Sequence, residues 1–140
     1  MKKIFKYFLI YIYNKMLVLE KYLKNNNVVF QFKIDKTLNI RKTEAQNMYT
    51  KYPDKVPVII ASSNIKLIKS KFLVNNDMTF GQLVIILKKY VELSSTETLY
   101  LCTSNYVSIK LSSIISETWE RYRDEDGFLY LILNKENTFG

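Results

Sequence analysis

Phe128-Leu129-Tyr130-Leu131-Ile132-Leu133 is apolar at every position. A strand with one wet face alternates apolar and polar residues, because successive side chains point to opposite sides. The unbroken run therefore predicts a strand covered on both faces, at the centre of a sheet. Asp124-Glu125-Asp126-Gly127 turns the chain into it, and Asn134 to Gly140 leads out of it to the last residue.

Working outward, Ser113 to Arg123 reads as a helix with Ile115, Trp119 and Tyr122 inward, and Thr98 to Thr103 as a strand. Thr79 followed by Gln82 makes a capping box. It opens a helix whose core stripe is Leu83, Ile86, Leu87 and Tyr90. Lys71-Phe72-Leu73-Val74 is β-prone, and Asn64 to Lys71 reads as polar connection with a short strand. Val56-Pro57-Val58-Ile59-Ile60 reads as a strand in which Pro57 implies an edge position or a strand start. Pro53-Asp54-Lys55 is a turn, and Tyr52-Pro53 ends a helix over Arg41 to Lys51. Val28 to Ile34 is a short apolar stretch ahead of it. From Pro53 the order is strand, strand, amphipathic helix, strand, short helix, strand and tail. That order predicts an α+β fold, a ubiquitin-like β-grasp with helices on one face of the sheet and two additional N-terminal helices.

Composition limits the chemistry. A chain of 140 residues, 48% apolar and 14% aromatic, builds one domain with a real core. Histidine is absent and Cys102 is the one cysteine. That excludes histidine-dependent triads, Cys-His nucleophiles, zinc clusters and disulfide scaffolds. Cys102, in Leu99-Tyr100-Leu101-Cys102, reads as a small buried hydrophobe. We therefore expect no enzyme, no metal and no cofactor.

The net charge of +8 is unevenly placed. Of 21 Lys/Arg and 13 Asp/Glu, residues 1–52 hold eleven and three, which leaves ten of each for residues 53–140. A nucleic-acid-binding domain carries its basic face on the folded body. Here the body is balanced, so no nucleic-acid partner is expected. A basic arm suits an anionic membrane surface or acidic partner segments.

That arm is residues 1–27, and residues 28–140 form the domain with its own N-terminal helix and a flexible tail. Phe5, Phe8, Leu9, Ile12, Met16, Leu19 and Leu23 recur at helical spacing, while Lys3, Lys6, Lys21 and Lys24 lie away from that stripe. The apolar run Tyr7 to Tyr13 is far short of the about 20 residues that cross a bilayer. Three readings stand: an amphipathic helix lying on a membrane, a secretion-type signal, and an ordinary surface helix or loose extension. No small-residue cleavage site follows, which counts against the signal. Asn25-Asn26-Asn27 reads as the joint to the domain.

Gly140 adds a chemical hint. A terminal residue without Cβ can be threaded through a narrow active site and activated as an acyl donor. A chain also has to end somewhere, so the glycine's weight depends on what precedes it.

What precedes it is specific. Lys51-Tyr52-Pro53-Asp54-Lys55-Val56-Pro57-Val58-Ile59 resembles the KYPDRVPVI block of the GABARAP and microtubule-associated light-chain family of autophagy ubiquitin-like modifiers. Lys71-Phe72-Leu73-Val74 and Met78-Thr79-Phe80-Gly81-Gln82-Leu83 resemble that family's KYLVPxxLTVGQF. Asp124 to Tyr130 and Glu136 to Gly140 resemble its DEDGFLY and ENTFG. The resemblance covers Leu38 to Gly140 and leaves out residues 1 to about 30. Two departures are visible: the link from Ile60 to Lys71 is shorter than usual, and Asn75 stands where the family has proline.

The resemblance implies a modifier, not an enzyme. Gly140 would be adenylated, passed as a thioester between activating and conjugating enzymes, and joined to phosphatidylethanolamine. Because the sequence ends on that glycine, no priming cleavage is expected, while a delipidating protease could still act. The resemblance also implies docking of proteins that bear aromatic-x-x-aliphatic motifs, as a strand added to a sheet edge. Glu44, Met48, Pro57, Ile59, Lys71, Leu73 and Phe128 match the family's first pocket. Phe72, Val74, Met78, Leu83 and Ile86 match the second, although Leu83 and Ile86 read equally well as core. Phe72 and Leu73 alternate across their strand, so one of them should be free to dock. The expected setting is cytoplasmic, with lipid anchoring on the autophagosome membrane. A plastid-type organelle membrane is the alternative, since some protist members ending in glycine decorate a relict plastid. Two other functions stay open: a modifier joined to protein lysines, and a peptide-binding scaffold that is never conjugated.

Overall fold

The computed structural model describes residues 2–26 and 28–137. Gly140, the expected conjugation residue, lies outside the described residues, as do Met1, Asn27, Thr138 and Phe139. Three helices precede the sheet: α1 (Lys2–Asn26), α2 (Gln31–Asp35) and α3 (Leu38–Lys51). Then come β1 (Lys55–Ala61), β2 (Lys71–Asn75), α4 (Phe80–Leu87), β3 (Glu97–Thr103), α5 (Ile115–Tyr122) and β4 (Leu129–Asn137). Of the expected joint Asn25-Asn26-Asn27, the first two residues belong to α1, and Asn27 lies outside the described residues.

The sheet has the order β2-β1-β4-β3. β4 lies parallel to β1 and antiparallel to β3, and β1 lies antiparallel to β2. The apolar run is thus an interior strand, as its pattern requires. Leu129, Leu131 and Leu133 face a core closed by Phe80, Leu83, Val84 and Leu87 of α4 and Ile115 of α5. Phe128 and Tyr130 face the other way, against Ala45 and Met48 of α3 and the rings of Phe30 and Phe32. Helices therefore cover both faces of the sheet, not one; an uncovered face would leave Phe128 and Tyr130 in water.

Four local expectations are revised. β1 is interior, so of the two readings of Pro57 the edge strand fails, while the strand start holds on the β4 side. Ile60 N–H bonds the Ser70 carbonyl at 2.7 Å across the β2 side. Alternation then turns the Pro57 nitrogen toward β4, whose ladder with β1 opens one residue later at Val58 and Leu129. Extending that register sets Pro57 opposite Phe128, where an N–H would aim at the Gly127 carbonyl. That carbonyl takes the Trp119 indole N–H instead, at 2.9 Å. Second, no strand forms between Asn64 and Ser70. Asn64 pairs reciprocally with the Lys135 backbone, at 2.9 and 3.0 Å, so a side chain replaces the ladder. Third, α2 forms across the end of the apolar stretch Val28 to Ile34, held by ring contacts described below. Fourth, α4 ends at Leu87 in a tighter turn over Lys88–Tyr90, and Phe80 and Val84 take core places while Ile86 stays half-buried.

The caps follow the sequence. Thr79 accepts from Gln82 N–H and the Gln82 side chain accepts from Thr79 N–H, closing the capping box. Gly127 has φ +93°, and a Cβ there would sit 3.1 Å from Ala45 Cβ. Only glycine gives both that backbone and that approach of α3 to the turn.

Candidate functional site

Among the described residues β2 pairs with β1 alone, so its second edge is open to an added strand. The pairs Val58 with Phe72 and Val56 with Val74 share the alternation of the Ile60–Ser70 bond. Phe72 and Val74 therefore spend their backbone groups on β1. The N–H and C=O groups of Lys71 and Leu73 point outward, along the open edge. Their side chains lie on the α2/α3 face of the sheet, whereas Phe72 and Val74 are buried in the α4 core. The alternation read from sequence is thus realised, with Leu73 as the half-exposed member.

The first set of candidate residues comes together on the α2/α3 face. Pro57, Ile59 and Phe128 are buried and form its floor, with Met48 packed partly against them. Glu44, Lys71 and Leu73 form the rim. Glu44 bridges Lys36, at 2.7 Å, and Lys71. Burial alone would raise the Glu44 carboxyl, but hydrogen bonds from the two ammonium groups outweigh it and hold the group below its usual value. Phe32 meets Phe128 edge-on with centroids 4.9 Å apart, and Phe30 meets Tyr130 at 5.0 Å. Lys36 and Lys71 lie 5.1 and 5.6 Å from the Phe32 ring centroid. The rim thus carries two ammonium groups about one carboxylate, and the floor one aromatic ring, Phe128, with Phe32 against its edge.

Not every member shares one opening. Glu44 and Met48 line a depression of about 630 Å³ on α3 with Ile40, Lys51 and Tyr52. Pro57 lines a cleft of about 690 Å³ on the other side of α3, with Tyr49, Trp119 and Arg123.

In the second set, Phe72, Val74 and Leu83 are core residues that shape the surface from beneath. Met78 and Ile86 are half-buried and line a depression of about 420 Å³ beyond the end of β2, with Asn75, Asp77, Gln82 and Ile85. Asn75 stands at its edge.

Sequence reasoning missed Phe32, Lys36 and Ile85. Periodicity could not join Lys36 to Glu44, because Thr37 interrupts the helix between them and caps α3. Ile85 did leave a signal: it is apolar yet off the inward stripe of α4, and it is 63% exposed.

The matches to known proteins identify the family and the fold. The family model described as "Autophagy protein Atg8 ubiquitin like" matches residues 40–140. Autophagy-related protein 8 of Schizosaccharomyces pombe is 39% identical over 114 residues, covering 79% of this chain and 93% of that protein. Autophagy-related protein 8e of Arabidopsis thaliana is 36% identical over 113 residues, covering 78% and 92%. The crystal structure of Trypanosoma brucei ATG8 superposes with a TM-score of 0.69 at 34% identity, over 78% of this chain and 97% of that one.

Proposed function

Since the chain belongs to the Atg8 family of ubiquitin-like autophagy proteins, we propose that Gly140 is joined to phosphatidylethanolamine and that β2 then docks motif-bearing receptors at the membrane. In the joining step the lipid amine attacks the Gly140 thioester carbonyl, a conjugating-enzyme thiolate leaves, and the ammonium loses a proton to give an amide. A residue without Cβ leaves that carbonyl open to attack. Two acyl chains, each buried CH₂ contributing about 0.8 kcal/mol, then suffice for lasting attachment to an autophagosome membrane. The same linkage makes the product a substrate for a delipidating protease.

The observation that carries the docking half is the outward-facing backbone of Lys71 and Leu73, set beside the Lys36 and Lys71 ammonium groups and a floor of Pro57, Ile59 and Phe128. An extended aromatic-x-x-aliphatic segment would bond to that edge, its aromatic over Ile59 and Phe128 and its aliphatic anchor toward Met78 and Ile86. Acidic residues beside the motif would compete with Glu44 for Lys36 and Lys71.

Two assays test the reading separately. With purified activating and conjugating enzymes and phosphatidylethanolamine liposomes, the chain should gain one lipid mass, resistant to hydroxylamine and sensitive to phospholipase. Gly140→Ala should fold normally and gain none. An adduct on a protein lysine would move the chain to the protein-conjugated class, and an unchanged mass would leave only the scaffold role. For docking, Lys71→Glu and Leu73→Ala should each weaken a fluorescent motif peptide. Unchanged affinity in both would remove the groove assignment.

A further inference from the structure

We propose that α1 is an in-plane membrane helix that holds the protein on an anionic phospholipid bilayer, independently of any bond at Gly140. The family match begins at residue 40, so the helix lies outside it. Phe5, Phe8, Leu9, Ile12 and Met16 repeat at helical spacing along one side of α1. Their exposures run from 38% to 63%, so this apolar stripe has no partner among the described residues. A contiguous stripe of that kind marks an interaction surface, not scattered surface apolarity.

Charge decides the partner. Lys2, Lys3, Lys6, Lys15, Lys21 and Lys24 stand in α1 against the one acid Glu20. At 100° per residue, Lys3 falls opposite the stripe, on a face it shares with Tyr7 and Ile10, Lys6 stands just past one flank, and Lys15 lies on the opposite flank beside Tyr11, its Nζ 5.6 Å from that ring centroid. Tyr13 flanks the other side. The apolar stripe below, Tyr11 and Tyr13 at its boundary and lysines beyond them is the layering of a lipid headgroup region. Lys15 flanks the stripe and no acid stands among residues 3–16, so a second copy packed on the stripe would lack the mixed-sign flanks that paired helices use. Lying, not crossing, is the available mode, since no described helix is long and apolar enough to cross a membrane.

The test uses the full chain carrying Gly140→Ala, so conjugation plays no part and its failure elsewhere leaves this result intact. Vesicles of phosphatidylcholine with and without phosphatidylserine are floated with the protein at low and high salt. Binding should require phosphatidylserine and fall with salt. Lys3→Gln, Lys6→Gln and Lys15→Gln together should weaken it on the order of a hundredfold, at about one kcal/mol for each lysine near the surface. Phe8→Glu with Ile12→Glu should abolish it. No flotation, or equal flotation with neutral vesicles, overturns the proposal. So does a concentration-dependent dimer, dissolved by Phe8→Glu and Ile12→Glu, in a chain that ignores vesicles.

Discussion

Arg41 Nε lies 2.9 Å from Asp126 Oδ2, and both side chains are almost wholly withdrawn from water. The pair fastens α3 to the turn that feeds the central strand. Asp126 also accepts the Tyr130 hydroxyl at 2.5 Å and the Phe128 N–H at 2.8 Å, and the Arg41 guanidinium donates to the Lys36 carbonyl at 2.7 Å. Burial, then the bond to Asp126, drives the Tyr130 phenol far above its usual value, so it remains a donor. The groove floor at Phe128 and its rim at Lys36 are thus set by one polar network.

Arg41→Met should cost about 3–5 kcal/mol, because it leaves a buried carboxylate without its counter-charge. Urea unfolding measures this. Adding Asp126→Asn should recover part of the loss, since the amide still accepts from Phe128 N–H and carries no charge. A cost under about 1 kcal/mol for Arg41→Met would mean the pair behaves as an exposed one.

Acid should loosen the same region. Burial raises the Asp124 carboxyl, but the Lys33 ammonium at 2.6 Å and the Asp126 N–H outweigh it, and the group sits below its usual value. Glu44 is lowered likewise by Lys36 and Lys71. In the unfolded chain such groups titrate near about 3.9 and 4.3. A carboxyl lowered on folding adds stability above its unfolded value, and that stability is lost as pH falls through the folded value. The urea midpoint should therefore drop as pH is taken from about 5 down to about 3. Asp124→Asn and Glu44→Gln should each flatten that fall; a slope that neither alters would separate these ion pairs from acid stability.

How far the sequence could be read depended on the range of the interactions. The central strand, the Thr79 cap and the alternation of Phe72 and Leu73 follow from periods of two or 3.6 and from neighbours three residues apart. The family blocks located the rim at Lys71 and the floor at Phe128. What stayed hidden is nonlocal. Pro57 reads as either an edge or a strand-start residue, and the choice waits on the order of the sheet and on Trp119, far along the chain, which satisfies the Gly127 carbonyl. α2 is too short to show a period, and it persists because Phe30 and Phe32 meet Tyr130 and Phe128. Lys36 enters the site through Glu44, across a helix break.

The β2 edge offers the sharpest test of the docking proposal, through proline. Proline removes an N–H and holds φ near about −65°, which an extended strand tolerates where that N–H makes no ladder bond. At Leu73, opposite Pro57, the N–H points away from β1; at Phe72, opposite Val58, it points into the ladder. Leu73→Pro should therefore fold, with a urea midpoint close to that of Leu73→Ala. Beyond the loss seen in Leu73→Ala, it should weaken a motif peptide by up to about tenfold, the range of one backbone hydrogen bond. Phe72→Pro should unfold the domain, because it breaks the ladder and strips a ring from the core. Should Leu73→Pro bind the peptide as well as Leu73→Ala does, the peptide does not add a strand to this edge.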